Sequence, residues 1–107
     1  MNAAPAIAYD RMFRLDGRIA FISGAAGHLG QAMVRGYLSA GARVILNGRG
    51  PARLDVLRAK LRQEGYDPDA VAVCAFDIRD EEALTRCFAA LPRLDVLVNN
   101  AITVEMG

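Results

Sequence analysis

Residues 18–49 read RIAFISGAAGHLGQAMVRGYLSAGARVILNGR. Ile19 to Ser23 is a short apolar run of the kind a buried strand needs, and Gly24 to Gly30 is dominated by small residues. From Leu29 onward Leu29, Ala32, Met33, Tyr37 and Ala40 recur at the spacing of one helix face, and Gly41 supplies a stop. Arg43 to Asn47 is a second apolar strand that ends at Gly48 and Arg49. The stretch therefore predicts strand, small-residue hinge, helix and strand, with a polar exit.

The same alternation continues outward. Pro51 sits where a first helical turn tolerates proline, and Leu54, Leu57 and Leu61 follow at helical spacing. Gly65, Asp67 and Pro68 carry turn chemistry before a third apolar run, Ala70 to Phe76. Leu84, Cys87, Phe88 and Leu91 then mark a third helix, with Asp80, Glu81 and Glu82 at its positive N-terminal end and Pro92 beyond its close. Val96 to Val98 is a fourth strand. The order β-α-β-α-β-α-β, with strands apolar on both faces, predicts a parallel sheet covered by helices on both sides. Right-handed crossovers in a doubly wound pattern give strand order 3-2-1-4. Residues 1–17 read as an N-terminal arm and 18–107 as the domain.

Of the 107 residues, 53% are hydrophobic and the formal net charge is +1, which suits one globular unit and argues against a nucleic-acid surface. Lys60 is the only lysine and the arginines are interspersed with acids, so no polybasic membrane patch is expected. Cys74 and Cys87 lie outside any CxxC pattern and have no histidine at metal-ligand spacing, so both are expected as buried thiols in a reducing compartment. The N-terminal stretch lacks a signal-peptide pattern and no segment has the length of a membrane span, which makes the cytoplasm the expected location.

In a sheet of this kind the first strand-to-helix turn is where a dinucleotide pyrophosphate sits. Glycines let the backbone approach it, and the helix N-terminus offers unpaired N–H groups. The turn SGAAGHLG spaces Gly24, Gly27 and Gly30 three apart and does not match G-x-G-x-x-G. It resembles instead the turn T-G-x-x-x-G-x-G of the short-chain dehydrogenases/reductases, whose fourth strand ends N-N-A-G. Ser23 stands for the Thr, Gly24 and Gly30 are in register, His28 takes the place of the middle Gly, and Gly27 comes one position early. The resemblance extends from FRLDGRIAFISG through FDIRD to LDVLVNNA, nearly the whole chain. GARVILNGRGPARL looks most like the branch of gluconate 5-dehydrogenases and 3-oxoacyl-carrier-protein reductases.

The resemblance implies a Rossmann-type α/β fold whose sheet is incomplete in this chain. It also implies cofactor contacts at Ser23, Gly24, Gly27, His28, Leu29 and Gly30 in the hinge and at Asn47, Gly48 and Arg49 after the second strand. Asp77 and Ile78 would lie at the adenine, and Asn99 and Ala101 at the sheet centre and nicotinamide ribose. Asn100 completes the N-N-A motif, while Ile102 replaces its usual glycine. His28 either points away from the pyrophosphate or donates to a phosphate oxygen. Asp77 has a competing role as a helix cap, for which Asp80 is also placed.

A free ribose 2′-hydroxyl is usually held by an acid at the end of the second strand, whereas a 2′-phosphate needs that acid absent and an arginine present. Gly48 occupies the acid position and Arg49 follows, with a guanidinium suited to bidentate phosphate binding. NADP is therefore expected in preference to NAD.

The family's chemistry uses a Tyr made more acidic by a Lys four residues on, together with a Ser, and passes hydride between nicotinamide and a carbonyl or alcohol carbon. Tyr9, Tyr37 and Tyr66 are followed at that spacing by Phe13, Gly41 and Ala70, so no catalytic residue is assigned in this chain. The expected whole is an NADP-dependent oxidoreductase acting on a small carbonyl or alcohol, homo-oligomeric when complete, with this chain as its cofactor-binding part and inactive alone. A non-catalytic dinucleotide-binding module or redox sensor would use the same hinge. An S-adenosylmethionine-dependent methyltransferase also has a glycine-rich first turn, but it wants an acid at Gly48 and lacks the N-N-A exit.

Overall fold

The computed structural model describes residues 14–100. Most of the N-terminal arm, along with Ala101 and Ile102, lies outside the described residues.

Four parallel strands form one sheet in the order β3-β2-β1-β4, the order expected from right-handed crossovers. The strands are β1 (Ile19–Ile22), β2 (Arg43–Gly48), β3 (Val71–Ala75) and β4 (Val96–Val98). Helices α1 (His28–Ser39), α2 (Pro51–Gln63) and α3 (Glu81–Ala89) connect them, with a short 3-10 turn at Pro68–Ala70. One face of the sheet packs Ile22, Val44, Leu46 and Val71 against α1 and α2 through Val34, Leu38, Leu54, Leu57 and Leu61. The other face packs Ile19, Phe21 and Ile45 against Leu84, Cys87 and Phe88 of α3. Successive side chains of a strand point to opposite faces, so β1 divides Ile22 from Phe21 between the two layers.

Helix ends follow local chemistry. Gly41 (φ +97°) closes α1 with Gly41 N–H donating to Leu38 O and Ala42 N–H to Tyr37 O, at 3.0 Å each. Gly65 (φ +96°) closes α2 in the same way, through Gly65 N–H to Leu61's neighbour Arg62 O and Tyr66 N–H to Leu61 O. In both, a left-handed residue after the last turn returns two N–H groups to orphan carbonyls, which is why glycine stands there. Asp80 caps α3 by accepting from Ala83 N–H at 3.1 Å, leaving Asp77 available for another role.

Several expectations need correction. The buried stripe of α1 is Gly30, Val34 and Leu38, flanked by half-buried Met33 and Tyr37, while Leu29 and Ala32 are exposed. The apolar pattern falls one residue out of phase with the buried stripe because Gly30 carries no hydrophobic side chain, yet it is the position pressed hardest against the hinge. The third strand is shorter than Ala70 to Phe76, since Ala70 donates its N–H back to Asp67 O in the 3-10 turn. Strands apolar on both faces are also fully buried only at the centre: Leu97 of β4 is exposed, as are Ala72 and Ala75 of β3. Cys74 and Cys87 are half-buried, and their sulfurs face each other at 2.8 Å.

Candidate functional site

The strand order reverses between β1 and β4, so the loops leaving β1 and β4 diverge and open a crevice at the carboxyl edge of the sheet. A cleft of about 580 Å³ lies there, bounded by the hinge after β1, the exit of β2 and the exit of β3.

The hinge is built for close backbone approach. Gly24 adopts φ +62°, and a Cβ at Gly30 would overlap the Gly24 carbonyl oxygen and come within 2.9 Å of Ala25 Cα. The first turn of α1 thus packs directly on the loop, with no space for a side chain between them. Ala25 N–H donates to Asn47 O (3.0 Å), tying the loop to β2, and Gly27 N–H to Gly24 O (3.1 Å) closes the turn within it. The N-cap is Gly27, which has no side chain to satisfy the first-turn N–H groups, and no acid occupies that turn. Orphan donors and the positive end of the helix dipole are left for an anion. His28 and Leu29 are exposed on the wall of the cleft, replacing the flat surface a middle glycine would give.

At the opposite side, Gly48 and Arg49 leave β2. Arg49 is exposed and makes no hydrogen bond or ion pair among the described residues, although its charge helps to lower the Asp77 pKa. Asp77 is held well below the usual carboxylate range chiefly by the Arg79 side chain (Nη2 to Oδ2, 2.8 Å) and by Arg79 N–H. The wall formed by Phe76, Asp77 and Ile78 therefore carries an anion held by Arg79, in a cleft that the exposed Arg49 also lines. Arg53, in the first turn of α2, also lines this region and donates to Ala26 O at 3.3 Å. Gln31 Nε2 donates to the same carbonyl at 2.9 Å, so two side chains brace the hinge from outside.

Two residues expected at the cofactor commit their polar side-chain groups to the protein instead. Asn47 is 1% exposed and spends its amide on Cys74 O (2.9 Å) and Phe76 O (3.2 Å), tying the exit of β2 to that of β3. Ser23 is fully buried; its hydroxyl accepts from Asn100 N–H at 2.8 Å and lies 3.2 Å from Val98 O and 3.3 Å from Asn99 Oδ1. Asn100 Nδ2 reaches Gly24 O at 3.4 Å. The serine thus fastens the hinge to the fourth strand's exit, and Asn99 is exposed beside it. Gly24, Gly27, His28, Leu29, Asn47, Gly48, Arg49, Asp77 and Ile78 all line one cleft. Ala101 lies outside the described residues.

Arg53 and Phe76 line the cleft without having been singled out in the sequence. For Arg53 a signal was present, because it stands in the first turn of the helix that begins just after Arg49. For Phe76 there was none, since it reads as the last apolar residue of a strand. Among the described residues there is no group of three or more potential metal ligands, and no helix is long and apolar enough to cross a membrane.

A parallel doubly wound sheet with a glycine hinge at its switch point defines a dinucleotide-binding α/β protein. The short chain dehydrogenase family matches residues 18–106, and the chain belongs to that family. Gluconate 5-dehydrogenase of Gluconobacter oxydans is 33% identical over 94 residues, covering 84% of this chain and 36% of the relative. Serine 3-dehydrogenase of Agrobacterium fabrum is 43% identical over 84 residues, covering 75% of this chain and 31% of the relative. Among solved structures, a gluconate 5-dehydrogenase from Burkholderia cenocepacia in complex with NADP and tartrate superposes with a TM-score of 0.72 at 36% identity, covering 88% of this chain and 37% of that one. The N-domain of a bacterial malonyl-CoA reductase with NADP gives 0.76 at 38% identity, covering 84% and 17%. The chain spans about a third of the length of the curated relatives it matches.

Proposed function

We propose that this chain is the cofactor-binding part of an NADP(H)-dependent dehydrogenase/reductase acting on a small carbonyl or alcohol substrate. The observation that carries the cofactor choice is Gly48 beside Arg49 at the exit of β2, where an acid would select the unphosphorylated ribose. The residues fit the group: the hinge has a close-packed backbone, its N-cap offers no competing side chain, and Arg49 has no protein acceptor among the described residues. When bound, the dinucleotide supplies the hydride chemistry.

This chain's residues bind and orient. Gly24, Gly27 and Gly30 shape the pyrophosphate turn, with His28 and Leu29 on its rim. Arg49 takes the 2′-phosphate. Asp77 and Ile78 flank the adenine, and Asn99 and Ala101 approach the nicotinamide ribose. Ser23 and Asn47 hold these parts in register from beneath, and residues 18–107 act as one domain. No Tyr-x-x-x-Lys pair occurs in the sequence, so the chain by itself is expected to show no turnover on any carbonyl. The names of the relatives favour an enzyme over a sensor module.

Titration of the full-length protein with NADPH and NADH, followed by cofactor fluorescence, tests the reading. One charge-assisted hydrogen bond contributes about 1.5–3 kcal/mol, so Arg49→Ala should weaken NADPH binding roughly ten- to a hundredfold and leave NADH little changed. Gly48→Asp should reverse the preference. Equal affinities of the unmutated protein for the two cofactors would overturn the assignment.

A further inference from the structure

The proposed cofactor role leaves Cys74 and Cys87 unused. Cys74 lies in β3, two residues before Phe76, and Cys87 lies in α3, one residue before the Phe88 ring that packs edge-on against Phe21. Their sulfurs are 2.8 Å apart and neither is in a disulfide. That separation is closer than two unbonded sulfurs settle and within a side-chain adjustment of the roughly 2.05 Å of an S–S bond. Both thiols are only half-buried, so a small solute can reach them.

The two elements that carry them are held independently of the sulfurs. Asn47 fixes the carbonyl of Cys74 at 2.9 Å, and α3 is capped by Asp80 and anchored through Leu84 and Phe88. The two sulfurs are thus brought face to face by elements anchored through contacts of their own.

We propose that Cys74 and Cys87 are a modification site, an intramolecular thiol pair that a hydroperoxide converts to a reversible disulfide joining α3 to the β3 exit. Burial foremost, and the Cys74 sulfur beside it, push the Cys87 thiol up to about 12, which disfavours its thiolate; in the proposed sequence Cys74 attacks the peroxide first. With hydrogen peroxide, the Cys74 sulfur takes one oxygen as the O–O bond breaks and the departing hydroxide takes up the Cys74 proton, giving a sulfenic acid and one water. The Cys87 sulfur then displaces the sulfenic oxygen, which leaves as a second water with the Cys87 proton. Two thiols are oxidised by two electrons and one peroxide is reduced. The resulting staple lies behind Phe76, Asp77 and Ile78, on the side of the cleft assigned above to the adenine, but its formation does not depend on that assignment.

The test treats the folded full-length protein with hydrogen peroxide, alkylates the remaining thiols, and digests with trypsin in the absence of reductant. Cleavage at Arg62, Arg79, Arg86 and Arg93 places the cysteines in separate peptides, 63–79 and 87–93. The expected result is these two peptides joined, two hydrogens lighter than their sum, and separated again by dithiothreitol. A mixture of isotopically heavy and light protein should give only heavy–heavy and light–light pairs. Replacement Cys87→Ser should abolish the joined peptide and leave Cys74 as its sulfenic or sulfinic acid. Recovery of both peptides alkylated, at peroxide levels that oxidise an exposed control thiol, would overturn the proposal, as would mixed heavy–light pairs. Should the serine variant fail to fold, the peptide pair from the unmutated protein decides the question alone.

Discussion

Two glycines at the cleft make opposite demands. At Gly30 a Cβ would strike backbone, the carbonyl of Gly24 and the Cα of Ala25, and backbone in an anchored loop cannot yield cheaply. Gly30→Ala is therefore expected to lose about 1–3 kcal/mol or more of stability, and to weaken dinucleotide binding by displacing the hinge from α1; denaturant titration and cofactor titration measure the two effects. At Gly48 a Cβ would meet Leu54 Cδ2 at 3.3 Å, the far end of a flexible side chain. Gly48→Asp should consequently fold with little loss while changing the cofactor preference. A Gly48→Asp protein with a large drop in melting temperature would show that Leu54 cannot give way. The contrast separates a glycine required by packing from one whose replacement tests recognition.

At the scale of elements, α3 is joined to the sheet through Leu84, Cys87 and Phe88, with an aromatic contact at its centre. Phe21 of β1 is fully buried, with Phe88 edge-on at a centroid distance of 5.1 Å and Phe76 tilted at 6.1 Å. Such geometry adds to area burial, because ring edges carry positive and ring faces negative potential. Phe21→Ala should cost about 3–5 kcal/mol in chemical denaturation, and hydrogen exchange should show α3 losing protection before α1 or α2, which pack on the other face. Equal loss of protection in all three helices would contradict this division of the core into two layers.

For the molecule as a whole, Asp95 joins β1 to the start of β4. It accepts from Ile19 N–H at 2.8 Å and pairs with Arg93 at 2.6 Å and Arg18 at 3.3 Å, while its own N–H donates to Ile19 O. Arg93 foremost, with the Ile19 N–H, pulls its pKa down to about 2. A carboxyl with a folded-state pKa below its unfolded value of about 3.9 contributes stability above that value and loses it as pH falls through the folded one. The melting temperature should thus fall between about pH 4 and pH 2, with Asp77 and Glu64 acting in the same direction. Asp95→Asn should lower it at pH 7 and flatten the acid limb; an unchanged acid limb would assign that limb to other groups. The sheet also ends at β4 among the described residues, with Leu97 55% exposed on an edge whose N–H and C=O groups can recruit another chain. The 107-residue chain made alone should self-associate in sedimentation, and Leu97→Lys should reduce this.

The alternation of strand and helix, the parallel order of the sheet, the glycine caps of α1 and α2 and the position of the hinge were all readable in the sequence, because each follows from local periodicity or from residues with few backbone options. The stripe of α2 was readable for the same reason: Leu54, Leu57 and Leu61 are its buried residues. Tertiary structure alone decided which side of α1 is inside, since its most tightly packed position is a glycine, and apolar patterning does not register a residue without a side chain. It also decided that Ser23 and Asn47 brace the cleft from beneath, that Arg53 and Phe76 line it, and that Cys74 and Cys87 meet. Each of these rests on contacts between segments far apart in the chain. Periodicity carries information over a few residues, whereas the partner of a buried polar group is set by which strands lie side by side.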